Sequence, residues 1–316
     1  MGSGAARLIS GTTDFHTRLE NKLAECKKKE KALLFSSGYL ANVGILSSMA
    51  GPDDLIVMDK LCHASIIDGA KLSGATIRVF PHKNYERCAE IFEKNQDFSR
   101  KLLVSDTVFS MDGDLADLNE LVKIKKKFDA MLILDDAHGT GVMGLHGRGA
   151  AEDLGLEPEI DVMIGTTSKA LGCLGGFAAA STDVIDYLVN TSRSFIFSTA
   201  LPPLLCAMIY EALVLLDEQP EIRHKLWRNI QIMHEGLSKL GLISGGIVSP
   251  IFPVILGEEK EALRVSQYLK EQGLLVPAIR TPTVPKGKAR LRITVSAVHE
   301  KEDMEFLIAA LKKATG

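Results

Sequence analysis

Seven short apolar runs recur through the first two thirds of the chain, at residues 32–35, 55–58, 76–80, 102–105, 131–134, 162–164 and 177–180. Most show no alternation of apolar with polar residues, and stretches of helical length such as 40–50 and 118–128 separate most of them. Unalternated runs belong to strands covered on both faces, so the pattern predicts a mostly parallel α/β sheet. Ahead of the first run, residues 14–31 read as a charged amphipathic helix with Phe15, Leu19, Leu23 and Cys26 on one side. Pro202-Pro203 opens a long helix, and the polar cluster at 217–221 closes it. The grammar then changes: a helix near 222–240, a strand at 252–256, a helix at 258–272, strands near 275–279 and 291–295, and a last helix at 301–314. The expected division is a large α/β domain over 1–217 and a smaller α+β domain over 218–316.

Composition narrows the class. At 316 residues, 46% hydrophobic and 24% charged, the chain is long enough for two cores. A net charge of −3 leaves no positive surplus for a phosphate polymer, so nucleic acid is not expected as a partner. The basic runs Lys27-Lys28-Lys29 and Lys125-Lys126-Lys127 are expected to be solvated helix faces. Five cysteines without paired close spacing argue against a disulfide framework or a zinc knuckle and suit a reducing cytoplasm. The N-terminus shows no signal-peptide pattern, and Glu211 interrupts the longest apolar stretch, so no membrane span is expected.

Candidate chemistry falls where the strands end, which is where open parallel sheets bind ligands. After 162–164 comes Gly165-Thr-Thr-Ser-Lys169, followed by glycines. A lysine in that setting is expected to be shielded from water and able to act as a nucleophile or Schiff-base former, against the ordinary reading of a surface lysine. Asp135 and His138 end another run and could converge on one ligand; metal is open in principle, but no third ligand is evident. Ser36-Ser37-Gly38-Tyr39 could hold an anion at a helix start or simply cap that helix. His63 has both a structural and a catalytic reading. Asp112-Gly-Asp114 suggests calcium only until the twelfth position, where Lys123 stands in place of the needed glutamate.

Taken together, the loops Phe35-Ser-Ser-Gly-Tyr-Leu-Ala-Asn42, His63-Ala-Ser-Ile-Ile-Asp68, Phe109-Ser-Met-Asp-Gly-Asp114, Asp135-Asp-Ala-His-Gly-Thr-Gly141, Thr166-Thr-Ser-Lys169, Ser198-Thr-Ala-Leu-Pro-Pro203 and Arg290-Leu-Arg-Ile-Thr294 resemble the α-oxoamine synthases, a group of fold-type I pyridoxal-phosphate enzymes. The motifs follow the family's order and cover almost the whole chain. The resemblance implies the aspartate aminotransferase-like fold, pyridoxal 5'-phosphate as cofactor and no metal. It implies that Lys169 bonds the cofactor and works as the base, that Asp135 faces the pyridine nitrogen and that His63 stacks on the ring. Ser110 and His138 would contact the phenolic oxygen, and Ser37, Gly38, Tyr39 and Thr166 the phosphate. Ser198 and Thr199 would reach the neighbouring subunit's phosphate in a homodimer, while Arg292, with Thr283 nearby in sequence, would take the amino-acid carboxylate.

The tail Ala278-Ile-Arg-Thr-Pro-Thr-Val-Pro285 resembles the biotin-pathway branch of the family most. That branch implies L-alanine and a pimeloyl thioester of coenzyme A or of an acyl carrier protein. The alternatives are the branch that joins glycine to acetyl-CoA and a non-catalytic subunit of the same fold. Lys286, Lys288 and Arg290 are expected to form a basic lip for thioester phosphates, against the plainer reading of a solvated hairpin. Two departures stand out. Met1 comes almost directly before the motif Gly2-Ser-Gly-Ala, so either the sequence is truncated or the family's N-terminal arm is absent, and Cys62 and Asp106-Thr107 replace the commoner asparagine and acidic-glycine pair.

Overall fold

In the computed structural model, which describes residues 2–315, the chain forms two compact units. One takes the chain up to Phe109 and then Ala116–Glu218; the other takes Ser110–Leu115 and everything from Gln219 on. Six residues between the strand Lys101–Asp106 and the helix Leu118–Phe128 thus belong with the second unit.

The first unit is built on a seven-stranded sheet: β1 (Lys31–Phe35), β2 (Leu55–Asp59), β3 (Thr76–Phe80), β4 (Lys101–Asp106), β5 (Met131–Asp135), β6 (Val162–Thr166) and β7 (Gly176–Ala180), in spatial order β1-β7-β6-β5-β4-β2-β3. β2 to β6 pair in parallel, and β7 runs antiparallel to both of its neighbours. Strands β2, β6 and β7 are buried along their whole length, as the unalternated runs require. Helices α1 (Asp14–Cys26), α2 (Gly38–Met49) and α3 (Ala64–Ser73) follow the early segments. One side of the sheet packs Ala41, Ile45 and Leu46 of α2, Ile66 and Ala70 of α3, and Ile185 and Leu188 of the helix Thr182–Thr191 into a continuous core.

α1 stops at Cys26, well short of residue 31, because the chain turns inward there. Lys27, expected in solvent, is fully buried, and Lys29 is half-buried with its ammonium donating to the carbonyls of Glu157 and Ile160. Charge runs read as exposed only when nothing in the fold calls for a cation, and both lysines close gaps in other loops.

The second unit pairs β8 (Ile251–Gly257), β9 (Ala278–Ile279) and β10 (Ala289–Thr294) antiparallel in the order β8-β10-β9. β9 covers only two of the residues expected over 275–279, since Leu275 is exposed and Pro277 offers no N–H to a ladder. The helices Pro220–Lys239, Glu259–Glu271 and Lys301–Thr315 accompany this sheet. Ser110–Leu115 docks on β8 so closely that a Cβ on Gly113, at φ +69°, would lie 2.3 Å from the Ile251 carbonyl oxygen. No helix among the described residues is long and apolar enough to cross a membrane.

Candidate active site

The carboxyl ends of β2, β4, β5 and β6 open on one edge of the parallel sheet, and the chemically distinctive side chains of the first unit gather there. Asp135 ends β5 directly beside Asp106 at the end of β4, and both are buried. Asp135 Oδ2 accepts from Asn42 Nδ2 at 2.6 Å and Oδ1 from the Ala137 N–H at 2.9 Å. Asp106 accepts from the His63 backbone N–H at 3.0 Å. Burial, followed by the neighbouring charge of Asp135, pushes the Asp106 carboxyl well above the usual carboxylate range.

His63 caps α3, its Nδ1 accepting from the Ser65 N–H at 3.3 Å and lying 2.7 Å from Ser65 Oγ. Ser65 Oγ in turn accepts from Asn42 Nδ2 at 3.0 Å. Across the edge, Lys169 Nζ lies 2.9 Å from His138 Nε2. Lys169 is exposed, which corrects the expectation that its loop shields it: Ser168, Lys169 and Ala170 sit at the outer tip of the turn after β6, while Thr166 and Thr167 take the buried places.

At the far end of the site, Ser37 caps α2, its Oγ accepting from Leu40 N–H at 3.2 Å, so the capping reading of the serine pair is realised. A cap uses one donor, and Gly38 and Tyr39 supply the earlier N–H groups at the positive end of a twelve-residue helix. Gly38 abuts Thr166, since a Cβ on Gly38 would lie 3.1 Å from Thr166 Cβ. Thr166 Oγ1 donates to the Gly175 carbonyl at 2.8 Å and lies 2.7 Å from Ser168 Oγ. Gly176 of β7 leaves the room this loop needs: a Cβ there would sit 2.4 Å from Gly38 N and from the Ser37 carbonyl carbon. The Tyr39 hydroxyl donates to the Asp68 carboxylate. Thr199 pairs with Ala6 through a β-bridge, and its carbonyl accepts from Ser36 Oγ at 3.4 Å, which sets Ser198 and Thr199 beside the end of β1.

Behind this edge lies a clamp that motif reading did not find. Lys27 Nζ donates to Asp136 Oδ2 at 2.8 Å, to Thr140 Oγ1 at 2.7 Å and to the Arg148 carbonyl, with both charged side chains wholly buried. Asp136 Oδ1 also accepts from Thr107 Oγ1 at 2.7 Å. The end of α1 is thereby tied to β4, β5 and the loop that carries His138. Asp136, Asn42 and Ser65 all stood inside recognised motifs, but a polar residue in a motif names no partner. Lys27 lay in a lysine run with no signal of burial.

In the second unit, Arg292 projects from β10 with Nε donating to the Ser110 carbonyl at 2.7 Å and Nη1 to Thr294 Oγ1 at 2.9 Å. Burial lowers its pKa. Thr283 is exposed in a turn closed by its N–H on the Arg280 carbonyl at 3.0 Å. Arg290 is buried and ion-paired with Asp112 at 2.6 Å. That corrects the basic lip: only Lys286 and Lys288 are exposed, because Asp112 draws the Arg290 side chain into an ion pair.

The family model for class I and II aminotransferases matches residues 1–311, and the chain belongs to that family, with the fold-type I transferase architecture. Within it the chain is an α-oxoamine synthase relative. An 8-amino-7-oxononanoate synthase of Citrifermentans bemidjiense is 47% identical over 307 residues, covering 96% of this chain and 79% of that protein. A serine palmitoyltransferase solved with its pyridoxal-phosphate internal aldimine superposes with a TM-score of 0.96 at 33% identity, covering 99% of this chain and 79% of that one. The 8-amino-7-oxononanoate synthase of Francisella tularensis gives 0.84 at 29% identity, over 96% and 87% of the two chains.

Proposed function

We propose that this chain condenses L-alanine with a pimeloyl thioester, releasing the thiol and carbon dioxide, to give 8-amino-7-oxononanoate for biotin synthesis. The observation that carries the reading is the meeting of Lys169 and His138 at 2.9 Å on the sheet edge that also holds a buried Asp135. The names of several relatives, at 44–47% identity, support the same substrates.

The donor set fits pyridoxal phosphate. A lysine amine stands ready to bond an aldehyde, and a buried carboxylate suits a protonated ring nitrogen. The helix start at Gly38 and Tyr39, kept open by Gly176, suits a phosphate. When bound, the cofactor supplies an electron sink for the α-carbon of the amino acid. Lys169 Nζ takes the α-proton of alanine and later returns a proton to that carbon, while His138 Nε2 holds the lysine within reach. His63 would cover the ring face, and Asp135 would keep the pyridine nitrogen protonated. Ser110 and His138 would serve its phenolic oxygen. Ser37 and Thr166 position the loops at the phosphate, and Arg292 binds the alanine carboxylate through its planar fork.

The carbon balance is closed: one C–C bond forms between the α-carbon and the acyl carbonyl, the C–S bond breaks with the thiol leaving, and the alanine carboxyl departs as carbon dioxide. The active unit of this reading is a cytoplasmic homodimer in which Ser198 and Thr199 reach the partner's phosphate. Large apolar side chains in solvent, Phe197 at 69% and Leu204 at 67% exposure, support such a partner surface, and five free thiols support a reducing compartment. The test is a thioester panel: alanine or glycine against pimeloyl-CoA, pimeloyl carrier protein and acetyl-CoA. Turnover confined to glycine with acetyl-CoA would replace this reading with the acetyltransferase one. Lys169→Ala should abolish both turnover and the visible absorption that develops on adding cofactor.

A further inference from the structure

The hydrogen bonds that run from Asp135 to His63 have a direction, and it follows from which atoms can only accept. An ionised carboxylate has no proton to give, so the Asn42 atom 2.6 Å from Asp135 Oδ2 must be the amide nitrogen. Turning the amide over would set two oxygens at that distance. The same nitrogen spends its second proton on Ser65 Oγ at 3.0 Å. Asn42 Oδ1 is left buried with no hydrogen-bond partner among the described residues. An orphaned buried acceptor marks an amide whose orientation is set by its other end.

Ser65, wholly buried, has one hydroxyl proton. Its oxygen already accepts from Asn42, and the next polar atom is His63 Nδ1 at 2.7 Å. The Ser65 backbone N–H points to that same nitrogen at 3.3 Å. Two donors therefore converge on Nδ1, which leaves no place for a proton there. In the neutral imidazole the proton must sit on Nε2.

We infer that Asn42 and Ser65 are positioning residues: Asn42 donates to both Asp135 and Ser65, Ser65 donates to His63, and this relay makes His63 an Nε2–H tautomer and fixes the plane of its ring. The carboxylate assigned to the cofactor's nitrogen thereby also sets the state of the residue assigned to the ring face. His63 Nε2 is then a donor only and cannot take a proton, which leaves proton transfer at the α-carbon to Lys169. That consequence rests on the function proposed above, whereas the tautomer does not.

The test is nitrogen-15 NMR of histidine-labelled protein at pH 8, with and without pyridoxal phosphate, the His63 signals assigned by their loss in His63→Gln. Wild type should show a pyridine-type Nδ1 and a protonated Nε2, in both cofactor states. Ser65→Ala should give a mixture of tautomers, and Ser65→Thr, which keeps the hydroxyl, should restore the wild-type pattern. Asn42→Ala should weaken the preference by freeing the serine hydroxyl to turn. A protonated Nδ1 in wild type, or an unchanged pattern in a folded Ser65→Ala, would overturn the relay. If Ser65→Ala does not fold, the wild-type tautomer and Asn42→Ala still decide. An inactive protein with the expected tautomer would count against the proposed reaction and leave the relay standing.

Discussion

Replacing Lys27 by methionine should destabilise the first unit without touching any atom assigned to chemistry. Methionine matches the apolar stem of lysine but cannot donate to Asp136, Thr140 or the Arg148 carbonyl. Breaking a fully buried ion pair by removing one partner costs about 3–5 kcal/mol, because the other charge stays in a low-dielectric site. Asp136 keeps donors from Thr107 at 2.7 Å, Thr140 at 3.2 Å and Ala150 at 3.3 Å, which places the loss near the lower end, about 3 kcal/mol. At about 2–4 °C per kcal/mol for a unit of this size, the melting temperature should fall by roughly 6–12 °C. The assay is thermal unfolding followed by circular dichroism, with Asp136→Asn and the double variant completing a cycle. The double variant should melt above Lys27→Met, since it no longer buries an unpaired charge. A Lys27→Met protein that melts with wild type would refute the claim that this pair ties α1 to the loop behind His138.

Other consequences follow from single positions. Gly176→Ala should drive a methyl into the Ser37–Gly38 backbone, destabilise by about 1–3 kcal/mol and weaken cofactor binding measured by absorbance titration. Asp106→Asn tests a sign: a carboxyl raised in the folded state binds more protons there than when unfolded, so stability falls as pH rises through the window above the ordinary carboxylate range. The variant should melt higher than wild type at pH 7, and the two should converge near pH 4, in a series of melting curves against pH. Arg292→Lys should raise the alanine KM about 10–100-fold while changing kcat less, as steady-state kinetics would show, because one ammonium cannot reproduce a planar two-point contact.

Much of this was legible from the chain. Each apolar run of the first unit became a strand within a residue or two, because runs this short between turn residues suit strands rather than helices; β2, β6 and β7 are buried throughout, whereas β3 at the sheet edge is partly exposed. Lys169, Asp135, His63 and His138 stood in loops at strand ends, where topology concentrates ligands, so their gathering on one edge required only the parallel order. Lys27 escaped because burial of a cation is decided by Asp136, more than a hundred residues away, and no local pattern encodes that pairing. Arg290 escaped for the same reason: Asp112 claims it from a distant segment. The direction of the Asn42 and Ser65 bonds depends on donor counting in three dimensions, for which sequence offers residue types but not neighbours.

The short segment Ser110–Leu115 has a topological consequence. By joining the smaller unit between β4 and the helix Leu118–Phe128, it makes the backbone pass from one unit to the other at three places, after 109, after 115 and after 218. A severed linker at 218 would therefore not divide the molecule into two independent folding pieces. Pulling the two pieces apart would strip Gly113 of the Ser249 hydroxyl that donates to its carbonyl at 2.6 Å, and Asp112 of Arg290. Residues Gln219 onward, expressed alone, would in turn lack the strip on which β8 rests. The two units are sewn rather than strung together, and an evolutionary or engineered exchange of the smaller one would have to carry six residues from the middle of the larger.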